Sequence, residues 1–281
     1  MYLRTRGVPR SLDYGFLNSA PEERWWDRYA DVTAVERPCL LAVAEDGRWR
    51  VLISGIPSVR TDSVGTLICY TLVLEGESGG GSDEAVAAAL ASRWLADLAA
   101  APDGRGTLSD VLDGVCPTAD VDRLLAARPH ELLPEREEFT DRLRAALSAV
   151  TGAEPEGSGE PSARRWIAGR SAPGAPAAFL ARLSALLAGK ENGQAHLLNL
   201  VSAAEDVAEL TSGRLAVLVE GGLVGDAAMP LEELTGRAGE LAYDAPKAKG
   251  RSAVVPAALT ALLLLLLLLL AGALWIWPGP F

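Results

Sequence analysis

Histidine and lysine are scarce in this chain of 281 residues: only His130 and His196, and only Lys190, Lys247 and Lys249 among 26 basic side chains. The two histidines stand far apart with no ligand pattern around them, which excludes an H-E-x-x-H helix. A lone histidine more often serves as a surface or hydrogen-bonded structural group than as a catalyst. Cysteine is nearly as rare. Cys39, Cys69 and Cys116 are odd in number and widely spaced, with no C-x-x-C pair, so neither a disulfide framework nor a metal cluster is expected. Cys39 and Cys69 sit in apolar runs, where a free thiol behaves as a small core residue. There is no G-x-S-x-G elbow, no EF-hand loop and no P-loop. Acidic pairs such as Glu137-Glu138 point about 100° apart on a helix and do not form an acid–base couple by adjacency. No cofactor or metal is implied.

An apolar N-terminal leader is also missing. Met1–Arg10 carries three arginines with no apolar run behind them, so it does not read as a secretory signal. The Lys-poor, Ala- and Arg-rich usage is that of a GC-rich bacterial genome. Net charge is −11, concentrated in residues 61–160, which carry 7 basic and 19 acidic groups. Such a surface repels phosphate backbones, so nucleic acid is not an expected partner.

Against these absences one run stands out. Residues 253–277 contain no charge and include nine consecutive leucines, Leu262–Leu270. As a helix the run measures roughly 37 Å, enough to cross a hydrocarbon core of about 30 Å with some tilt. Lys247, Lys249 and Arg251 precede it and nothing basic follows. The sequence therefore predicts a single-pass tail anchor in the cytoplasmic membrane, with the N-terminal bulk in the cytoplasm. Trp275 and Trp277 mark the far interface, and residues 278–281 form a short external tail. The span offers no charge for a proton relay or ion path, and Gly272 has no second small residue at G-x-x-x-G spacing.

Upstream the expected class is α+β: an N-terminal β-meander with a helical cluster over residues 1–150, and a smaller α/β unit over 163–245. Residues 151–162 (TGAEPEGSGEPS) read as the linker between them, and 246–252 as a basic juxtamembrane segment. Cys39–Ala44 and Arg48–Ile53, joined by Asp46-Gly47, read as a hairpin. Thr66–Leu74 reads as a central strand and Tyr2–Thr5 as an edge strand. Pro21 suits a helix start. Helical spacing marks 84–100, 107–115, 118–128, 135–150 and 176–188, the last closed by Gly189. Residues 195–210 fit either a strand followed by a helix capped at Ser202, or one helix; the capping box favours the first. Arg214–Glu220 reads as a strand and Pro230–Tyr243 as a last helix.

Two glycine-bearing segments invite a functional reading. Gly76–Asp83 follows a strand and precedes a helix, yet Asp83 and Glu84 would occupy the dipole end that a phosphate needs, so it reads as a connector with Ser82 as N-cap. The expected loop Ser54–Gly65 carries Arg60 and Asp62, the ligand-contact candidates, for which a plain solvated ion pair is the simpler account. The function expected is an adaptor or regulator that recruits a protein partner at the membrane. The alternative is a membrane-tethered enzyme with its site near Arg60 and Asp62.

Overall fold

Alternation along the apolar run Cys39–Glu45 explains why it has no polar face. Leu40, Ala42 and Ala44 point into one hydrophobic cluster, while Cys39, Leu41 and Val43 point into another on the opposite side. A strand covered on both faces has no solvent side to mark with polar residues.

The computed structural model of the chain describes residues 1–79, 81–101, 103–128, 130–153, 163–201, 213–219, 224, 228–231 and 233. All of them lie in one compact unit, Met1–Ala238. The fold is α+β, with one large mixed sheet and five α-helices among the described residues.

The strands are β1 (Tyr2–Thr5), β2 (Gly15–Phe16), β3 (Cys39–Glu45), β4 (Arg48–Thr61), β5 (Leu67–Glu77), β6 (Trp166–Gly169), β7 (Gly193–Leu198), β8 (Arg214–Val219) and β9 (Met229–Pro230). They pair in the order β2-β1-β5-β4-β3-β7-β8-β6-β9. Neighbours are antiparallel except β7 with β8 and β8 with β6, which run parallel. The expected hairpin is present, with Leu41 opposite Leu52 and Glu45 opposite Arg48. Asp46 and Gly47 turn it at φ of 53° and 74°, the left-handed pair that such a turn demands.

The helices are α1 (Ser82–Ala100), α2 (Thr107–Val115), α3 (Thr118–Ala126), α4 (Leu133–Ser148) and α5 (Ala175–Leu187). Their apolar stripes, including Leu90 and Trp94, Leu112, Leu124, Phe139 and Leu143, and Phe179 and Leu183, share one core with Leu40, Val51, Ile53 and Tyr70 of the sheet. The opposite face is covered by a 3-10 helix, Trp25–Tyr29, whose Trp25, Trp26 and Tyr29 pack with Leu41, Leu52, Val73 and Val217.

Several expectations change. The segments on either side of residues 151–162 share one sheet, because β7 pairs along β3 from Leu40↔Leu197 to Ala44↔Gly193. β1 is not an edge strand; it lies between β2 and β5. Pro21 does not open a helix, since the 3-10 turn starts at Trp25. The N-cap of α1 is Gly81, at φ 78°, rather than Ser82. Pro230 lies in a two-residue strand, and helical backbone begins one residue later than expected, at Leu231. Gly189 does close α5, at φ 67° just beyond the C-cap Ala188. Residues 195–198 are strand, as the capping argument favoured. The linker from 154 to 162, the capping box at Ser202, the juxtamembrane residues Lys247, Lys249 and Arg251, and the apolar run with Trp275 and Trp277 lie outside the described residues. Among those described, no helix is long and apolar enough to cross a membrane.

Candidate functional site

The segment expected as a loop between β4 and β5 is mostly strand. β4 continues to Thr61, with a bulge at Gly55 between the pairs Ser54↔Thr71 and Ile56↔Tyr70. Gly55 takes φ 72°, and its bare α-carbon lies against the backbone of Arg37 and Pro38. The register with β3 ends at Cys39↔Ser54, so Pro57 falls where β4 has a partner strand on one side only. A proline is tolerated there because no ladder bond is asked of it.

This extension turns Arg60 and Asp62 inward. Arg60 is 6% exposed and Asp62 7%, while Val59, Thr61 and Ser63 between and beside them are exposed. The Arg60 guanidinium donates to the Thr5 hydroxyl at 2.9 Å, to the Arg6 carbonyl at 3.0 Å and to Ser58 Oγ at 3.1 Å. It also lies over the Tyr70 ring, 5.1 Å from the centroid. Asp62 Oδ1 accepts the backbone N–H groups of Val64 at 2.9 Å and Thr66 at 2.8 Å, and Oδ2 faces Arg6 at 3.6 Å. The Thr66 amide, then burial working the other way, then the Val64 amide and the Arg6 charge leave the Asp62 carboxyl below its ordinary range. The two candidates do not pair with each other: Arg60 ties β4 to β1, and Asp62 closes the turn.

Behind them lies a second polar knot. Asp113 of α2 accepts from the hydroxyls of Ser58 at 2.7 Å and Tyr70 at 2.9 Å, from the Val59 amide at 3.0 Å, and from Arg105 at 3.1 Å. Burial raises the Tyr70 phenol above its usual range, so it stays a donor at neutral pH. Ser58 beside a carboxylate resembles half of a nucleophilic pair, but Ser58 is 1% exposed and no substrate carbonyl reaches it. The thiols are equally withdrawn: burial pushes Cys39 and Cys116 up to about 12 and Cys69 up to about 11. Among the described residues no group of three or more His, Cys, Asp or Glu is placed to hold a metal ion.

What this knot supports is an uncharged tip. Val59 is 66% exposed, Val64 58% and Leu67 46%. Thr61 pairs with Leu67, so Val59, Thr61 and Leu67 share the outward face, and Ser63, Gly65 and Thr66 complete the exposed turn. Arg6 and Arg10 flank it, both adding positive potential at Asp62. Sequence reasoning missed Val59, Val64 and Leu67 because it looked for polar groups. The signal that marks them is the alternation Ser58/Arg60/Asp62 against Val59/Thr61/Ser63.

A second concavity, an open groove of about 870 Å³, lies between β2, α3 and α4, with Leu124, Leu125 and Leu133 on its apolar part and Glu137 and Asp141 on its rim. Arg136 lines it but offers nothing to a ligand, since its guanidinium is bonded to five backbone carbonyls: Glu131, Phe16, Leu17, Leu124 and Ala127.

The chain matches no family model, no curated protein and no solved structure. The reading of function therefore rests on the geometry alone.

Proposed function

We propose that this chain is a protein-docking module, an adaptor that engages its partner through the end of the β4–β5 hairpin and is tethered by the apolar run at residues 253–277. The observation that carries the reading is the stiffly braced, uncharged tip. Three aliphatic side chains, Val59, Val64 and Leu67, stand exposed on a turn held from behind by Arg60, Asp62 and the Ser58–Tyr70–Asp113 knot. Single exposed apolar residues are ordinary, whereas a cluster on a rigid element is the form that an interaction site takes. Preorganisation by the knot lowers the entropy lost on binding. The flanking Arg6 and Arg10 select a partner with an apolar cleft and an acidic edge.

A photo-reactive residue at position 64 of the full-length chain, introduced in cells, tests this. One discrete protein adduct is expected, lost in the Val59→Asp/Leu67→Asp double variant and kept in Leu133→Asp, which alters an exposed leucine on α4. Adducts to lipid only, or a protein adduct indifferent to the double variant, would overturn the reading.

A further inference from the structure

The open groove between the sheet edge and helices α3 and α4 is built from two chemically different strips. Its floor is aliphatic, from Leu124 and Leu125 of α3 and Leu133 at the start of α4. Leu132 takes φ 57°, a left-handed turn that leaves its own side chain against the helix-side core and Leu133 outside it, 54% exposed. The rim is acidic. Glu137, Thr140 and Asp141 stand at i, i+3 and i+4 of α4, one stripe of that helix, and all three line the groove.

The cations nearby are already engaged. Arg136 is held by its five carbonyls, of which Leu124 and Ala127 belong to the C-terminal end of α3, where the helix dipole is negative. Arg123 and Arg142 both face Asp120. Arg144 pairs with Asp141 at 3.4 Å between two exposed side chains, a bond that water and salt weaken. Among the described residues Glu137 has no ion-pair partner. The whole stretch 61–160 carries 7 basic against 19 acidic side chains, so a cation approaching this rim is drawn in.

We propose that this groove is a docking site for a short amphipathic helix of another protein, with leucine-like side chains on the floor and a lysine or arginine over Glu137 and Asp141. The helical form follows from the edge strand β2. The carbonyls of Phe16 and Leu17 already accept from Arg136, at 3.3 and 2.8 Å, and the Tyr14 amide donates to Asp13. An extended peptide laid along β2 would find those ladder positions taken, whereas a helix bonds its own backbone and presents only side chains. The volume agrees: about 870 Å³ is the space of two helical turns, a cylinder ~10 Å across and ~11 Å long. A patch of this size makes a transient complex rather than a permanent one. The site is separate from the hairpin tip, and its failure would leave the docking reading there untouched.

The experiment follows the fluorescence anisotropy of a labelled synthetic peptide titrated with the full-length chain in a nonionic detergent, with empty micelles as the blank. The peptide carries leucines at i, i+3, i+4 and i+7 and lysines along both flanks of that stripe. One twin has glutamate for every lysine, and another has a proline in mid-helix. Saturable binding of the lysine peptide is expected, with a dissociation constant in the micromolar range that rises with salt. Each twin should bind about tenfold more weakly or worse, and Leu133→Asn should weaken the lysine peptide by a similar factor. Glu137→Lys/Asp141→Lys should invert the preference, so that the glutamate twin binds and the lysine peptide does not; both positions are exposed, so the fold tolerates the change. A lysine peptide that binds no better than either twin, binding indifferent to Leu133→Asn, or a double charge variant that keeps the lysine preference would refute the assignment.

Discussion

Asn199 closes a two-bond ring on the backbone of Ala34: its Oδ1 accepts the Ala34 N–H at 2.7 Å, and its Nδ2 donates to the Ala34 carbonyl at 2.8 Å. The amide thus imitates a neighbouring strand residue and fastens the segment between the 3-10 helix and β3 to the end of β7, 165 residues away in sequence. The same Nδ2 also reaches the carbonyls of Arg37 at 3.0 Å and Pro38 at 3.2 Å. Asn199→Ala leaves the Ala34 amide without that acceptor and should cost about 1–3 kcal/mol in urea unfolding. Asn199→Asp keeps the acceptor but points a charge at three carbonyls, so it should be no better. Wild-type stability in either variant would show that the ring contributes nothing.

Glycine substitutions separate two kinds of constraint around one strand. A Cβ at Gly55 would overlap the Arg37 carbonyl and the Pro38 nitrogen, which are backbone atoms unable to rotate away. With a φ of 72° added, Gly55→Ala should lose about 3 kcal/mol or more. Gly65, at φ 85°, has open space where a methyl group would stand, with no atom within 4 Å. It carries only the conformational cost, so Gly65→Ala should lose about 1 kcal/mol. Comparable midpoints for the two variants in chemical denaturation would contradict this account of the bulge.

Local order is legible in the sequence wherever it depends on near neighbours. The Asp46-Gly47 hairpin, the boundaries of α2 and the Gly189 stop follow from turn chemistry and periodicity within a few residues. The β4 extension is not legible, because Gly55 and Pro57 read as loop punctuation. They act instead as a bulge and a residue with one neighbouring strand, which depends on where β3 ends. Arg60 and Asp62 stand out in the sequence as a polar pair, yet Arg60's role is set by Thr5 and Arg6, more than fifty residues away, while Asp62 serves the amides of Val64 and Thr66 in its own turn. The joining of β3 to β7 is invisible for the same reason: both strands are apolar, and no local signal names a strand's partner.

Arg136 offers a test of a neutral-looking helix position. Its five bonds run to the carbonyls of Phe16, Leu17, Leu124, Ala127 and Glu131, the shortest at 2.7 Å to Leu124 and 2.8 Å to Leu17. It thereby holds α4 to the end of α3 and to β2. Lysine has three donors on one atom and cannot reach carbonyls on several sides, so Arg136→Lys should cost about 2–4 kcal/mol. Glu137→Gln, on the exposed neighbour, should stay within about 0.5 kcal/mol. Equal stabilities of the two variants by urea titration would refute the clamp.

The acid side of the stability profile should belong to His196. Burial, and secondarily the Arg214 charge beside it, holds this imidazole well below its ordinary 6.5, so it is neutral in the folded chain. The unfolded chain has no such restraint and its histidine takes up a proton at about pH 6.5. Below that value the unfolded state binds a proton that the folded state refuses. Stability is therefore fully present above about pH 6.5 and falls as pH drops towards the folded value, with a slope of up to about 1.4 kcal/mol per pH unit from this one group. Asp62 acts in the same direction, but only below about pH 4, where carboxylates titrate. Urea midpoints at pH 8, 7, 6 and 5 should be level between the first two and decline through the last two. In His196→Gln, whose amide oxygen can still accept from Arg214, the baseline is lower and the decline should disappear. A decline that persists unchanged in that variant would place its origin elsewhere.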